Sequence, residues 1–344
     1  MYASNGVTAK CRAVFGQRLT PLDYAQLAAK ENVPQICDYL KTVPRYEKAL
    51  SSVNSGAIHR RQLEALLAKA AFDIYENFRK FDYTKSRGYF SFIVERLEIG
   101  QIVSAAAAVY AGGADAYIAA VPMYLNRYTK TNLPELGRAK NLAEVVELLE
   151  GTSYIKVLRE PLINAAQSGK LDIGEIERGL VNDYYFRLLK HAEENFRGSE
   201  KKEFKRAILR SIDMENVVTL YRRAQFSGAT PENLKKALIP FRYKLKDDVI
   251  EELIAEKDID ALAKRLKKIG YHSDTESSTV EQLTERISQK FYEKTLHLSS
   301  HASVAYFALT ESLCTELRNI RTVVEGVRYE MDGTDIMKNA GTLK

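Results

Sequence analysis

One recurrence constrains this chain more than any other feature. Between Val304 and Met331 the apolar residues Tyr306, Leu309, Leu313, Leu317, Ile320, Val324 and Val327 fall three or four apart, the spacing that lines one face of an α-helix. At the edge of that stripe stand Glu316 and Asn319, three apart and so on one face, with Ile320 beside them. The arrangement occurs twice upstream. Phe204 precedes Asp213, Asn216 and Val217, and Tyr89 precedes Glu98, Gln101 and Ile102, at the distance that separates Phe307 from Glu316. A short Leu-rich stretch ending in an aromatic turn recurs with it: Leu40 with Tyr46, Leu149 with Tyr154, Leu266 with Tyr271. So does the opening of a further helix at Glu64, Glu177 and Glu281. A period a little over about 100 residues exceeds the roughly 20–50 of solenoid repeats. It implies an all-α chain of three similar helical-bundle domains in tandem, expected at residues 1–130, 131–229 and 230–344, with linkers at 129–134 and 227–231.

Composition agrees with helix throughout, because Ala, Leu, Glu, Lys and Arg dominate and Pro numbers only 8. The net charge of +6, from 51 basic and 45 acidic residues, describes a mixed surface and does not imply nucleic acid. Cys11, Cys37 and Cys314 are isolated, without CxxC spacing, which favours a reduced compartment. The first residues lack an apolar run of signal-peptide length. The most apolar window, Ile102 to Val121, is mostly alanine and is broken by Gly112, Gly113 and Asp115, so it does not read as a membrane span.

Helix signals punctuate the chain. Thr20-Pro21 and Asn141 with Glu144 read as capped starts, Ser168 to Asp172 as a turn and cap, and the residues after Asp332 as a loosely held tail. No catalytic constellation emerges. Asn164 to Leu171 resembles a phosphate loop only superficially: Asn164 stands where the first glycine belongs and Leu171 where the magnesium-ligating hydroxyl belongs. His297 and His301 have helical metal-pair spacing, but the intervening Ser299-Ser300 reads as a helix break. No cofactor, metal or catalytic residue is expected.

The repeat singles out the polar pairs on the stripe edges. Glu98 and Gln101, Asp213 and Asn216, and Glu316 and Asn319 either satisfy neighbouring backbone inside the fold or touch a partner. The arginines beside them, Arg222, Arg223, Arg318, Arg321 and Arg328, either meet an acidic partner or form a solvated face. Were the three edges to surround one axis, the pairs and Arg222, Arg223, Arg318 and Arg321 would ring a cavity.

Tyr2-Ala-Ser-Asn5 with Val7, Ala9-Lys10 and Arg12, then Leu22-Asp23-Tyr24 with Leu27, Arg210-Ser-Ile-Asp213-Met-Glu-Asn216-Val217-Val218 and Glu316-Leu-Arg-Asn319-Ile320-Arg321 together give a resemblance over nearly the whole chain. It resembles the C subunit of archaeal and bacterial V-type (A/V-type) ATPases, whose eukaryotic counterpart is the d subunit. Two places depart from the family pattern: Gln101 stands where the later units have Asn, and Val14-Phe15-Gly16-Gln17 replaces a leucine-rich loop. The resemblance implies a pseudo-threefold funnel that is a non-catalytic part of the rotor. Its expected partners are the central-stalk shaft, received in the central cavity, and the membrane proteolipid ring, at whose cytoplasmic face it would sit. Torque for proton or sodium transport, or for ATP synthesis, would pass through it. On the residues alone, a general helical scaffold is the alternative and a helical enzyme a distant third.

Overall fold

The computed structural model of the chain describes residues 2–79, 89–225, 230–256, 258–273 and 277–341. Residues 227–229 of the expected second linker lie outside the described residues. Among the described residues every regular element is helical. Helix starts follow local chemistry. Thr20 Oγ1 accepts from the amide of Asp23 at 3.2 Å while the Asp23 carboxylate accepts from the amide of Thr20 at 2.7 Å, closing a capping box at the helix Pro21–Ala28. Asn141, Asp172 and Thr279 each accept from the amide three residues on, satisfying a donor that the first helical turn leaves unpaired. The resemblance to a phosphate loop ends in the same chemistry: Gly169, at φ 67°, closes one helix in the left-handed region, and Asp172 opens the next.

The chain groups into two compact units, one of Met1–Phe81 with Arg197–Lys344 and the other of Asp82–Phe196. In the second unit the 23-residue helix Tyr89–Ala111 packs against Ile173–Asn195 and Leu133–Arg138. Its core includes Val94, Ile102, Leu136, Leu149, Leu158, Leu180 and Leu188. Gly137 is required by close approach, since a Cβ there would lie 2.2 Å from Cδ1 of Tyr117.

In the first unit the 27-residue helix Gly198–Ala224 packs against Val280–Leu298. The equally long Ala302–Arg328 packs against Tyr2–Gly16, Arg60–Arg79 and Val280–Leu298. From Val304 to Glu311 this last helix is buried on every side, with Ala305 and Ala308 giving its neighbours room. Further along, Ile320, Val323, Val324 and Val327 join a core built from the first helices of the chain, including Leu27, Ile36, Leu40, Tyr46 and Leu63. Both ends of the sequence therefore share one core. Arg12 fastens them: its guanidinium donates to the carbonyls of Leu296 at 2.7 Å, His297 at 3.0 Å and Ser299 at 3.1 Å, the orphan acceptors at the end of the Val280–Leu298 helix.

Two expectations need correction. The tail after Asp332 is a helix, Gly333–Asn339, whose Ile336 is 1% exposed. Gly326 makes the seat, because a Cβ there would lie 2.6 Å from Cγ1 of Ile336. Leu317, on the apolar stripe, is only partly buried at the margin of the core.

Candidate functional site

At the repeat position each long helix carries a buried carboxylate, and the three are held in the same way. Glu98 is 1% exposed, Asp213 0% and Glu316 5%. Glu98 Oε1 accepts from the backbone amides of Lys130 and Thr131, both at 2.9 Å, and from the Thr131 hydroxyl at 2.8 Å; its Oε2 accepts from the Tyr154 hydroxyl at 2.7 Å. Asp213 accepts from the amides of Tyr243 at 2.9 Å and Lys244 at 2.8 Å and from the Tyr271 hydroxyl at 2.6 Å. Glu316 accepts from the amide of Leu19 at 3.1 Å, from the Tyr46 hydroxyl at 2.6 Å and from the Arg45 guanidinium at 2.6 Å. In every case a long helix is joined to a loop through main-chain donors and to a Leu-rich segment through one tyrosine.

The electrostatics follow from burial. An ionised carboxylate loses its hydration on entering the core, and three or four charge-assisted hydrogen bonds replace it. For Asp213 the replacement is incomplete: burial raises its pKa above the usual carboxylate value, against the lowering effect of the hydrogen bonds from Tyr271, Lys244 and Tyr243. Burial first, and the adjacent carboxylate second, push the hydroxyls of Tyr46, Tyr154 and Tyr271 far above the ordinary tyrosine value. These hydroxyls stay protonated and serve as donors. The carboxylates are acceptors engaged by their own chain, and the clusters are joints between segments.

The amides divide. Asn216, 1% exposed, closes a two-way bond with residue 239: its Nδ2 donates to the Ile239 carbonyl at 3.1 Å and its Oδ1 accepts from the Ile239 amide at 2.9 Å. Asn319 acts on both the Tyr24 hydroxyl and the Glu285 carboxylate, lowering their pKa values, while burial holds the Glu285 pKa above its usual value. Glu316 and Asn319 together line a cavity of about 30 Å³, with Arg18, Tyr24 and Arg45 around them. Gln101 is half-buried and makes no side-chain hydrogen bond among the described residues.

The four candidate arginines, by contrast, are exposed. Arg222 pairs with Glu281, and Arg321 lies 3.2 Å from Glu64. Arg318 stands 3.9 Å from Glu285 and donates to the Thr315 hydroxyl. Arg223 meets no carboxylate among the described residues. The three acids and the two asparagines thus lie inside the fold while the arginines reach the surface, so one helix edge provides both an internal joint and an external charge. The candidate histidines flank the junction of two helices: His297, in the last turn of Val280–Leu298, meets Phe15 edge-on, and His301, at the cap of the next helix, has its Nε2 3.0 Å from the Ser199 hydroxyl.

The tyrosine partners were recognisable in the sequence as repeat members, yet nothing there tied them to the acids. In sequence Tyr46, Tyr154 and Tyr271 precede a long helix. In space Tyr154 and Tyr271 serve the long helix before them, and Tyr46 serves the last helix of the chain. The clusters of Glu98 and Asp213 accordingly span the stretches 129–134 and 227–231.

Comparison with known proteins gives a consistent result. A family described as ATP synthase (C/AC39) subunit matches residues 7–339. The A-type ATP synthase C subunit of Thermococcus kodakarensis is 26% identical over 329 residues, covering 92% of this chain and 84% of that one. The protein of the same name from Pyrococcus furiosus is 26% identical over 337 residues, covering 94% and 87%. That from Desulfurococcus is 25% identical over 339 residues, covering 94% and 87%.

Proposed function

Because the chain belongs to the ATP synthase (C/AC39) subunit family, we propose that it is a non-catalytic central-rotor subunit of a rotary V-type ATPase, a socket that couples the central-stalk shaft to the membrane proteolipid ring. The observation that carries this reading is the triplicated joint. A rotor part must transmit sideways load without yielding. Three long helices, each locked to its neighbours by a saturated carboxylate, supply stiffness where a softer apolar contact would slide. In this reading the chain is three similar modules, each a long helix with the segments that follow it. The third module, begun by Ala302–Arg328, is completed by the N-terminal helices. The three surround one axis as a funnel, at the cytoplasmic face of the membrane.

No helix among the described residues is long and apolar enough to cross a membrane, and the proposed contact with the ring is peripheral. The proposed contact with the shaft is made by exposed charge. Arg222, Arg223, Arg318 and Arg321 form the grip, and the buried acids and amides hold the helices that present it. Because individual exposed ion pairs contribute only about 0–1 kcal/mol, the test replaces all four arginines by Ala. Pull-down of the shaft subunits should weaken markedly while helicity and melting temperature stay nearly unchanged. Undiminished capture by the well-folded variant moves the shaft contact to another surface.

A further inference from the structure

The Glu98 and Asp213 joints share a lysine and a tyrosine in matching roles, and they differ in the charge that stands one turn before the acid. In the first, Lys130 gives its amide to Glu98 and places its ammonium 5.4 Å from the centroid of the Tyr154 ring. In the second, Lys244 gives its amide to Asp213 and places its ammonium 5.3 Å from the centroid of the Tyr271 ring. Three residues before each acid, one helical turn away, stands a second charged residue: Glu95 before Glu98, and Arg210 before Asp213. Glu95 is 4% exposed and is neutralised twice, by Lys130 at 3.0 Å and by Arg187 at 2.5 Å. That set is complete, with one carboxylate between two cations.

At the Asp213 joint the carboxylate is missing and a cation takes its place. The Arg210 guanidinium lies 4.6 Å from the ring centroid of Tyr271 and 4.4 Å from that of Phe291, held between two aromatic rings by cation–π attraction. It is partly exposed and makes no ion pair with any described residue. Its charged neighbours are Lys244 and, one turn back on the same helix, the exposed Arg206. Burial, and after it the charge of Arg210, holds the Lys244 ammonium below the ordinary lysine value, against the raising effect of Asp213. Lys244 spends one donor on the Ile269 carbonyl at 2.6 Å. Tyr243, 41% exposed, borders the site.

Asp213 is taken up by the amides of Tyr243 and Lys244 and the Tyr271 hydroxyl. A half-desolvated guanidinium with further cations around it and no ion-pair partner among the described residues is therefore a receptor for an oxyanion. The molecule itself displays, at Glu95, the group that fits. We propose that Arg210 and Lys244 form a binding site for a carboxylate supplied from outside the chain, by an acidic segment of a protein partner. This site is distinct from the arginine grip and does not depend on it.

The test uses the full chain, a fluorescein-labelled hexaglutamate peptide and fluorescence polarisation at constant ionic strength. Arg210→Met and Lys244→Met should each weaken peptide binding at least about tenfold, whereas Arg223→Ala should leave it unchanged. Arg210→Glu recreates the Glu95 arrangement beside Lys244. It should abolish binding and melt at or above the wild-type temperature, an outcome that a merely structural arginine would not give. Peptide binding undiminished in folded Arg210→Met overturns the site. Should Arg210→Glu fail to fold, the two Met variants decide alone. Inorganic phosphate added as competitor separates the sources. Displacement of bound peptide by phosphate is expected at millimolar concentration, whereas binding of phosphate, read by protection of Arg210 from phenylglyoxal, with no binding of peptide would overturn the assignment to a protein segment.

Discussion

Removing one hydroxyl from the Asp213 joint isolates what the buried carboxylates contribute. In Tyr271→Phe the ring stays, with its contacts to Arg210 and Lys244, and only the 2.6 Å bond to Asp213 is lost. A hydrogen bond to a charged group is worth about 1.5–3 kcal/mol. Asp213 is 0% exposed, so water cannot replace the lost donor and the upper half of that range applies. For a compact unit of about 150–250 residues this lowers the melting temperature by about 4–12 °C. The sign with pH is fixed by the direction of the Asp213 shift. Its folded-state pKa is raised, chiefly by burial, so stability linked to its protonation is present at low pH and is lost as pH rises through that pKa. The tyrosine donor limits this loss by favouring the ionised form. Its removal should therefore cost most at neutral pH and progressively less as the pH falls into the range where Asp213 takes up a proton. Urea unfolding of wild type and variant, followed by circular dichroism between pH 4 and pH 7.5, measures both quantities. A difference below about 0.5 kcal/mol at neutral pH, or one that grows on acidification, would refute the view that this bond holds an ionised carboxylate.

Other consequences are tested in the same way. Ile320→Ala, at a 1% exposed position, should cost about 2–5 kcal/mol, and Leu317→Ala, at the margin of the core, less than half as much in paired melts. Gly326→Val drives atoms into Ile336 and should release the helix Gly333–Asn339, read as faster amide exchange over those residues. Asn216→Ala leaves the amide and carbonyl of Ile239 without their partner and should cost about 1–3 kcal/mol per unpaired group, seen as a lowered urea midpoint.

The helices were legible because their signals are local. Thr20-Pro21, Asn141, Asp172 and Thr279 cap the helices they precede, and a 3.6-residue stripe shows its own apolar face. The acids and amides at its edge stood out for the same reason. Their partners did not, because spacing along one helix says nothing about which distant tyrosine meets Glu316, 270 positions from Tyr46. Arg45 was missed on the same ground, since a lone basic residue in a short helix looks solvated until the fold buries it. The tail reads as polar because only Ile336 and Ala340 sink into the core there, too few residues to make a periodic pattern.

Coupling is the most direct test of the central claim. A rotary ATPase reconstituted in vesicles without this chain should still hydrolyse ATP in its catalytic head yet transport no ions, and adding the chain back should restore transport in step with hydrolysis. Ion transport that proceeds at the normal ratio to hydrolysis in its absence would contradict the account.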